Sequence, residues 1–180
     1  MWGLHAAQLT RVYMQCRTGE SLDEWSDERI WRELRSRLDT HDGSALAEGA
    51  IVEKSLTTLH SLVVDPMQHG RLFLVGDAAH VMPPTAAKGL NLATAEVQLL
   101  AEALAAWHRS GQTALLDAYS STCLPRVWWA ESFSWWMTWL LHPVDDEFQH
   151  RLQVAQLQQL VASRAAGTWF AENYLGIAAF

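Results

Sequence analysis

The sequence predicts an α+β fold, with short strands in its first half and helices through its second. Three observations predict it. Residues 9–16, 57–64 and 72–75 are apolar or alternating runs of strand length. From residue 89 onward the chain is built mostly from helix formers. Between them, residues 76–91 are punctuated by glycine and proline and carry an acid at a strand end. Strands and a helix, then a loop, then helices give a sheet segment followed by a helical C-terminal part.

The elements follow in order. Residues 9–16 read as a strand and 17–21 as a turn. Ser26 followed by Asp27 and Glu28 is a capping residue with acids behind it, so a helix starts there. It runs to about residue 38, with Ile30, Leu34 and Leu38 on one face. His41, Asp42, Gly43 and Ser44 form a loop. Residues 57–64 suit a strand, and Asp65-Pro66 and His69-Gly70 punctuate the entry to the next one, 72–75. A helix runs from 89 to about 110. Another spans 113–141, where Pro125 is expected to kink or break it. Acids at 145–147 open a further helix over 148–164. The tail, 168–180, is too apolar to stand in solvent. There is no internal repeat.

Composition narrows the classes. The chain has 180 residues and a formal charge of −7. That charge, with no basic run, argues against a nucleic-acid partner. Cys16 and Cys123 read as two reduced thiols rather than a disulfide framework, and no basic-then-apolar leader opens the sequence. The expectation is a cytoplasmic protein. Residues 133–141 are nearly all apolar but too short to span a bilayer. Trp128, Trp135 and Trp139 share one helix face, which reads as buried core or subunit interface rather than membrane contact. The eight histidines are scattered without metal-ligand spacing, so no metal is expected, and His80 reads as structural, bonding the loop.

The run Gly76-Asp77-Ala78-Ala79-His80-Val81-Met82-Pro83-Pro84-Thr85-Ala86-Ala87-Lys88-Gly89-Leu90-Asn91 carries the chemistry. A carboxylate at a strand end accepts hydrogen bonds from hydroxyls. A helix start offers unpaired N–H groups and partial positive charge. Glycine and proline shape a backbone that a flat ring can approach. This is a ligand cradle.

The run resembles the second flavin-contacting motif of the FAD-dependent aromatic hydroxylases, the single-component flavoprotein monooxygenases. The resemblance continues, in the family's order, through Arg11-Val12-Tyr13, Glu24-Trp25-Ser26-Asp27-Glu28-Arg29, Glu53-Lys54-Ser55 and Pro66-Met67-Gln68-His69-Gly70-Arg71-Leu72-Phe73-Leu74. It extends to Phe133-Ser134-Trp135-Trp136-Met137-Thr138 and Ala171-Glu172-Asn173-Tyr174. It implies the C-terminal part of a flavin monooxygenase fold: 1–66 from the substrate-binding sheet domain, 67–111 the FAD-contacting strand-loop-helix, 112–180 a helical dimerisation region. The implied activity is hydroxylation of an aromatic acid, 4-hydroxybenzoate to 3,4-dihydroxybenzoate, with NADPH and O2. The implied partners are a small aromatic substrate and either a second copy of the chain or a separate N-terminal half.

The resemblance also implies residue roles. Asp77 would bind the ribityl chain of FAD; otherwise it caps the loop. Gly89, Leu90 and Asn91 would present N–H groups to the pyrimidine edge of the flavin, where reduction builds negative charge. Lys88 would add positive potential there; its alternative is an ordinary solvated lysine. Pro84 and Thr85 would line the flavin–substrate boundary, with the Pro84 carbonyl facing the substrate hydroxyl. Tyr13 would touch substrate, and Arg11 would sit near the flavin and govern its movement. Tyr174 would belong to the proton relay that ionises the phenol.

Three departures stand against a complete enzyme. No two of the ten glycines form Gly-x-Gly, so the dinucleotide fingerprint is absent and the chain reads as a C-terminal half. His60 stands where relatives carry an arginine that helps bind NADPH. Ala86 stands where the family commonly has glycine; if that position needs φ > 0, alanine costs about 1 kcal/mol. The alternative function is a catalytically inactive fragment or a helical self-association module.

Overall fold

A computed structural model describes residues 2–6, 9–17, 19–38 and 46–176. The chain divides into two units, Met1–Thr58 and Leu59–Phe180. The loop expected at 41–44 and the last residues of the tail lie outside the described residues.

In the first unit, β1 (Trp2–Ala6) pairs antiparallel with β2 (Leu9–Val12). The register sets Gly3 opposite Arg11 and shifts between Leu4 and Ala6. The strand expected over 9–16 therefore ends at Val12, and β1 is an element that the patterning did not show. Helix α1 (Asp27–Leu38) starts as expected: the Ser26 hydroxyl accepts the Arg29 N–H at 3.2 Å. Of its apolar face, Leu34 is buried while Leu38 is exposed. The N-terminal approach to α1 is knotted around Trp25. Its indole donates to Glu20 at 2.7 Å, the Arg29 guanidinium lies 4.1 Å above its ring centroid, and Lys54 reaches both its carbonyl and Asp27.

The second unit holds the run 76–91. Its strands are two residues long. β3 (Leu62–Val63) pairs antiparallel with β6 (His80–Val81), and β4 (Gln68–His69) with β5 (Leu72–Phe73). The strands expected over 57–64 and 72–75 thus shrink to their paired residues. A strand persists only where a neighbour takes its N–H and C=O groups. A 3-10 turn, Gly76–Ala78, connects β5 to β6.

Helix α2 (Gly89–Ser110) keeps its expected bounds, closed by Gly111 in the left-handed region with its N–H on the Trp107 carbonyl. The expected helix over 113–141 is two, α3 (Ala114–Asp117) and α4 (Tyr119–Leu141). The break falls at Ala118 rather than Pro125, which sits inside α4. Pro125 is on the exposed side, and so is Ser121, whose carbonyl loses its helical donor; water can replace it. Helices α5 (Glu147–Ala162) and α6 (Arg164–Leu175) follow, each capped by a side chain: Asp146 accepts from Gln149 N and Ser163 from Ala166 N.

The core of this unit is Met67, Ala79, Tyr119, Cys123 and Val127, flanked by Phe73, Leu74, Leu99 and Leu100. Hydrogen bonds stitch the start of α4 to the strands. Tyr119 donates to the Leu74 carbonyl at 2.9 Å, Met67 N to Ser120 Oγ at 2.9 Å, and Ser120 N to Gln68 at 2.9 Å. A second, aromatic cluster joins α4 to α6: Phe133 and Trp136 meet Trp169 and Phe170 at ring separations of 5.1–6.3 Å. Trp128 and Trp135 are half exposed, at 50% and 59%, so their shared face is not buried within this chain. The stripe that α4 buries is Cys123, Val127, Ala130, Ser134 and Met137. Among the described residues no helix is long and apolar enough to cross a membrane.

Candidate functional site

The cradle begins where β5 ends. Gly76 is buried at φ +59°, and a Cβ there would meet Ala93 Cβ at 3.2 Å. Only glycine both adopts that φ cheaply and lets α2 pack so close. The turn lifts Asp77 to the surface. Its carboxylate has no hydrogen-bond partner among the described residues, so the capping alternative for Asp77 fails. It is a free acceptor beside the core.

The first half of the cradle is held from α2. Glu96, 3% exposed, accepts the Gly76 N–H at 2.8 Å and pairs with His80 Nε2 at 2.6 Å. His80 is structural, as expected, but its partner is this helix rather than the loop. Sequence reasoning passed over Glu96. The available signal was its place in line with Leu92, Leu99 and Ala103 on the core face of α2, where an unpaired acid is rarely found.

The second half is the turn from Pro84 to Ala87. Ala87 N donates to the Pro84 carbonyl at 3.0 Å, and Ala86 takes φ 69°. Positive φ at the third residue is the position that glycine fills in a type II turn. The condition attached to Ala86 is therefore met, and Ala87, at φ 50°, shares the left-handed region. Thr85 Oγ1 lies 2.7 Å from Thr138 Oγ1, whose own proton goes to the Ser134 carbonyl at 2.7 Å. Thr85 is therefore the donor of that pair. Pro84 is exposed and leaves its face of the loop open.

Helix α2 then starts without a side-chain cap, and the N–H groups of Gly89, Leu90 and Asn91 have no partner among the described residues. Lys88 is not the solvated lysine of the alternative reading. It is 6% exposed, its ammonium donates to the Tyr174 carbonyl in the last turn of α6, and it lies 5.9 Å from the Tyr174 ring centroid. Burial lowers its pKa from the ordinary lysine value. Tyr174 itself is half exposed, stacked on Phe170.

The fold thus brings Pro84, Thr85, Lys88, Gly89, Leu90, Asn91 and Tyr174 into one unit with Asp77. Arg11 and Tyr13 belong to the other unit, where their side chains approach each other at 3.5 Å. Arg11 ends up on β2, and Tyr13 just past it. Among the described residues no three His, Cys, Asp or Glu side chains converge as metal ligands.

The sequence matches the family described as FAD binding domain over residues 3–134. It is also 45% identical to the p-hydroxybenzoate hydroxylase of Acinetobacter baylyi over 170 residues, covering 93% of this chain. The chain belongs to this FAD-binding family. Shorter matches reach other members. The FAD-dependent monooxygenase phnB of Penicillium herquei is 48% identical over 60 residues, 32% of this chain and 14% of that protein. The tetracenomycin B2 monooxygenase-dioxygenase of Streptomyces olivaceus is 47% identical over 58 residues, 32% of this chain and 11% of that protein. The chain spans 42% of the length of the Acinetobacter hydroxylase. FAD is the cofactor of this family, and the residues present fit such a group: a carboxylate with no partner among the described residues and a helix start without a side-chain cap.

Proposed function

We propose that this chain supplies the C-terminal flavin- and substrate-facing part of an FAD-dependent monooxygenase that hydroxylates an aromatic acid. The observation that carries the reading is a pair of open groups in one run, the Asp77 carboxylate with no partner among the described residues and the start of α2 at Gly89 without a side-chain cap, in a chain of this family. The reaction proposed is 4-hydroxybenzoate plus NADPH, H+ and O2 giving 3,4-dihydroxybenzoate, NADP+ and water. FAD, when bound, supplies the redox and oxygen chemistry.

The residues bind, orient and move protons. Asp77 would accept hydrogen bonds from the ribityl hydroxyls. Gly89, Leu90 and Asn91 would donate to the pyrimidine edge, and the helix start would stabilise negative charge there. Lys88, buried and fixed by the Tyr174 carbonyl, would add a nearby cation. The Pro84 carbonyl would accept a hydrogen bond from the substrate hydroxyl, with Thr85 beside it. Tyr13 would contact substrate, Arg11 would guide the flavin, and Tyr174 would pass the phenolic proton toward solvent, to which it is open. Residues 1–66 would belong to the substrate-binding sheet domain, 67–111 to the flavin-contacting segment and 112–180 to the dimerisation region. A cytoplasmic setting fits the two free thiols.

A second reading has its own observation. Trp128, Trp135, Phe148 and Val161 are 50–91% exposed, an apolar display that suits self-association. It makes the chain a homodimer or a partner of a separate N-terminal half, with or without activity. One preparation tests both. The purified chain is titrated with FAD, and NADPH oxidation is followed with and without 4-hydroxybenzoate, while ultracentrifugation reports size. Bound flavin and substrate-stimulated oxidation support the first reading. Colourless protein at excess FAD overturns it for the chain alone, and a monomer overturns self-association of the chain.

A further inference from the structure

Glu96 has an unusual place. Its helix is otherwise apolar on the core side, and burying an acid costs several kcal/mol unless both oxygens are satisfied. Here both are. Oε2 takes the Gly76 N–H at 2.8 Å and Oε1 takes His80 Nε2 at 2.6 Å. An ionised carboxylate only accepts, so with Glu96 ionised the pairing puts the ring proton of His80 on Nε2; Nδ1 is buried without a partner among the described residues. The Gly76 peptide is thus pinned from below by a charge, and the next residue is the exposed Asp77. Resting on the flavin reading above, we infer that Glu96 is a positioning residue: it locks the Gly76 peptide and thereby aims the Asp77 carboxylate at the ribityl hydroxyls of FAD. Glu96 touches no ligand. It acts through one backbone N–H, with His80 fixing which way its carboxylate faces.

Burial and then the Glu96 charge raise the pKa of the neighbouring Cys123, and burial and then the Cys123 and Glu96 charges raise that of Tyr119, around a Glu96 that is itself only 3% exposed. A charged hydrogen bond in such a place is worth more than one in water.

The test uses the isotopically labelled 180-residue chain as wild type, Glu96→Gln and Glu96→Leu. Three readouts are taken: hydrogen exchange of the Gly76 amide relative to the α2 amides, the His80 tautomer from its ring nitrogen shifts, and FAD affinity from quenching of flavin fluorescence. Glu96→Leu keeps the volume and removes the acceptor. It is expected to speed Gly76 exchange about tenfold and weaken FAD about tenfold. Glu96→Gln keeps one acceptor for Gly76 and turns its amide donor to His80. Gly76 protection and FAD affinity should then stay within about threefold of wild type, while the His80 proton moves to Nδ1. Unchanged Gly76 exchange and FAD affinity in Glu96→Leu would overturn the inference, as would equal losses in both variants. Should Glu96→Leu not fold, Glu96→Gln decides: an unmoved His80 proton overturns it. Should the wild-type chain take no FAD, the flavin reading fails for the chain. The Gly76 and His80 readouts still decide whether Glu96 pins the turn.

Discussion

Gly76 and Ala86 both hold positive φ in the same cradle, at +59° and +69°. At Gly76 the conformation is cheap, and the peptide is locked beneath by Glu96. At Ala86, and again at Ala87, a methyl group sits in the left-handed region, at a cost of about 1–2 kcal/mol each. That half of the cradle is kept in place by distant elements: Thr138 of α4 through Thr85, and the end of α6 through Lys88. One half is therefore set by its own residues and the core under it. The other is strained and depends on what packs around it. Strain of this kind is characteristic of ligand clamps.

The largest expected effect breaks the settled half. Gly76→Ala adds a Cβ at 3.2 Å from Ala93 Cβ in a left-handed residue. It should cost about 2–3 kcal/mol in urea unfolding and abolish flavin binding with it. A cost under ~0.5 kcal/mol would show the turn to be as tolerant as the alanine half.

Asp77→Asn comes next, and separates binding from stability within that half. Because Asp77 has no partner among the described residues, unfolding should move by less than ~0.5 kcal/mol while FAD affinity drops about tenfold. A loss of stability equal to the loss of affinity would contradict the free acceptor described above.

Ala86→Gly relieves the strained half. Strain relief less the added unfolded-state entropy leaves a gain of about 0.5–1 kcal/mol. Calorimetry that finds the variant less stable would mean that the packing of α4 and α6 already absorbs the strain.

The smallest signal comes from the core under the settled half. Burial first, then the Glu96 charge, pushes the Cys123 thiol up to about 11. A thiol whose folded pKa is raised stabilises fully below its ordinary value, and that stability is lost as pH rises through the folded value. Wild-type stability should therefore fall between about pH 9 and 11, more steeply than in Cys123→Ala. Native-state labelling at pH 8 should modify Cys16, which is partly exposed, well before Cys123. Equal labelling rates would show that the core opens as readily as the surface.

What could be read ahead was local. Ser26 marks the start of α1 and Gly111 the end of α2, because a cap needs only neighbours in sequence. Ala86 stands where the family commonly has glycine, and the positive φ that explains it belongs to a local turn. What misled were elements that depend on partners. The run over 9–16 has strand propensity to its end, but pairing with β1 stops at Val12. Pro125 reads as a breaker, yet α4 runs through it with the orphaned carbonyl turned to solvent. The tryptophans at 128, 135 and 139 share a face as the helical period says, but the period does not say which face meets the core.

The sequence by itself determined the family and its FAD cofactor, through resemblance to known members, and the order of the motif residues, since these rest on which side chains follow which along the chain. Tertiary structure alone decided how they are held. That Lys88 is buried against the Tyr174 carbonyl, that Thr85 donates to Thr138, and that Glu96 supports Gly76 are contacts between elements far apart in the chain. Their strength comes from exclusion of water, which no single segment achieves alone.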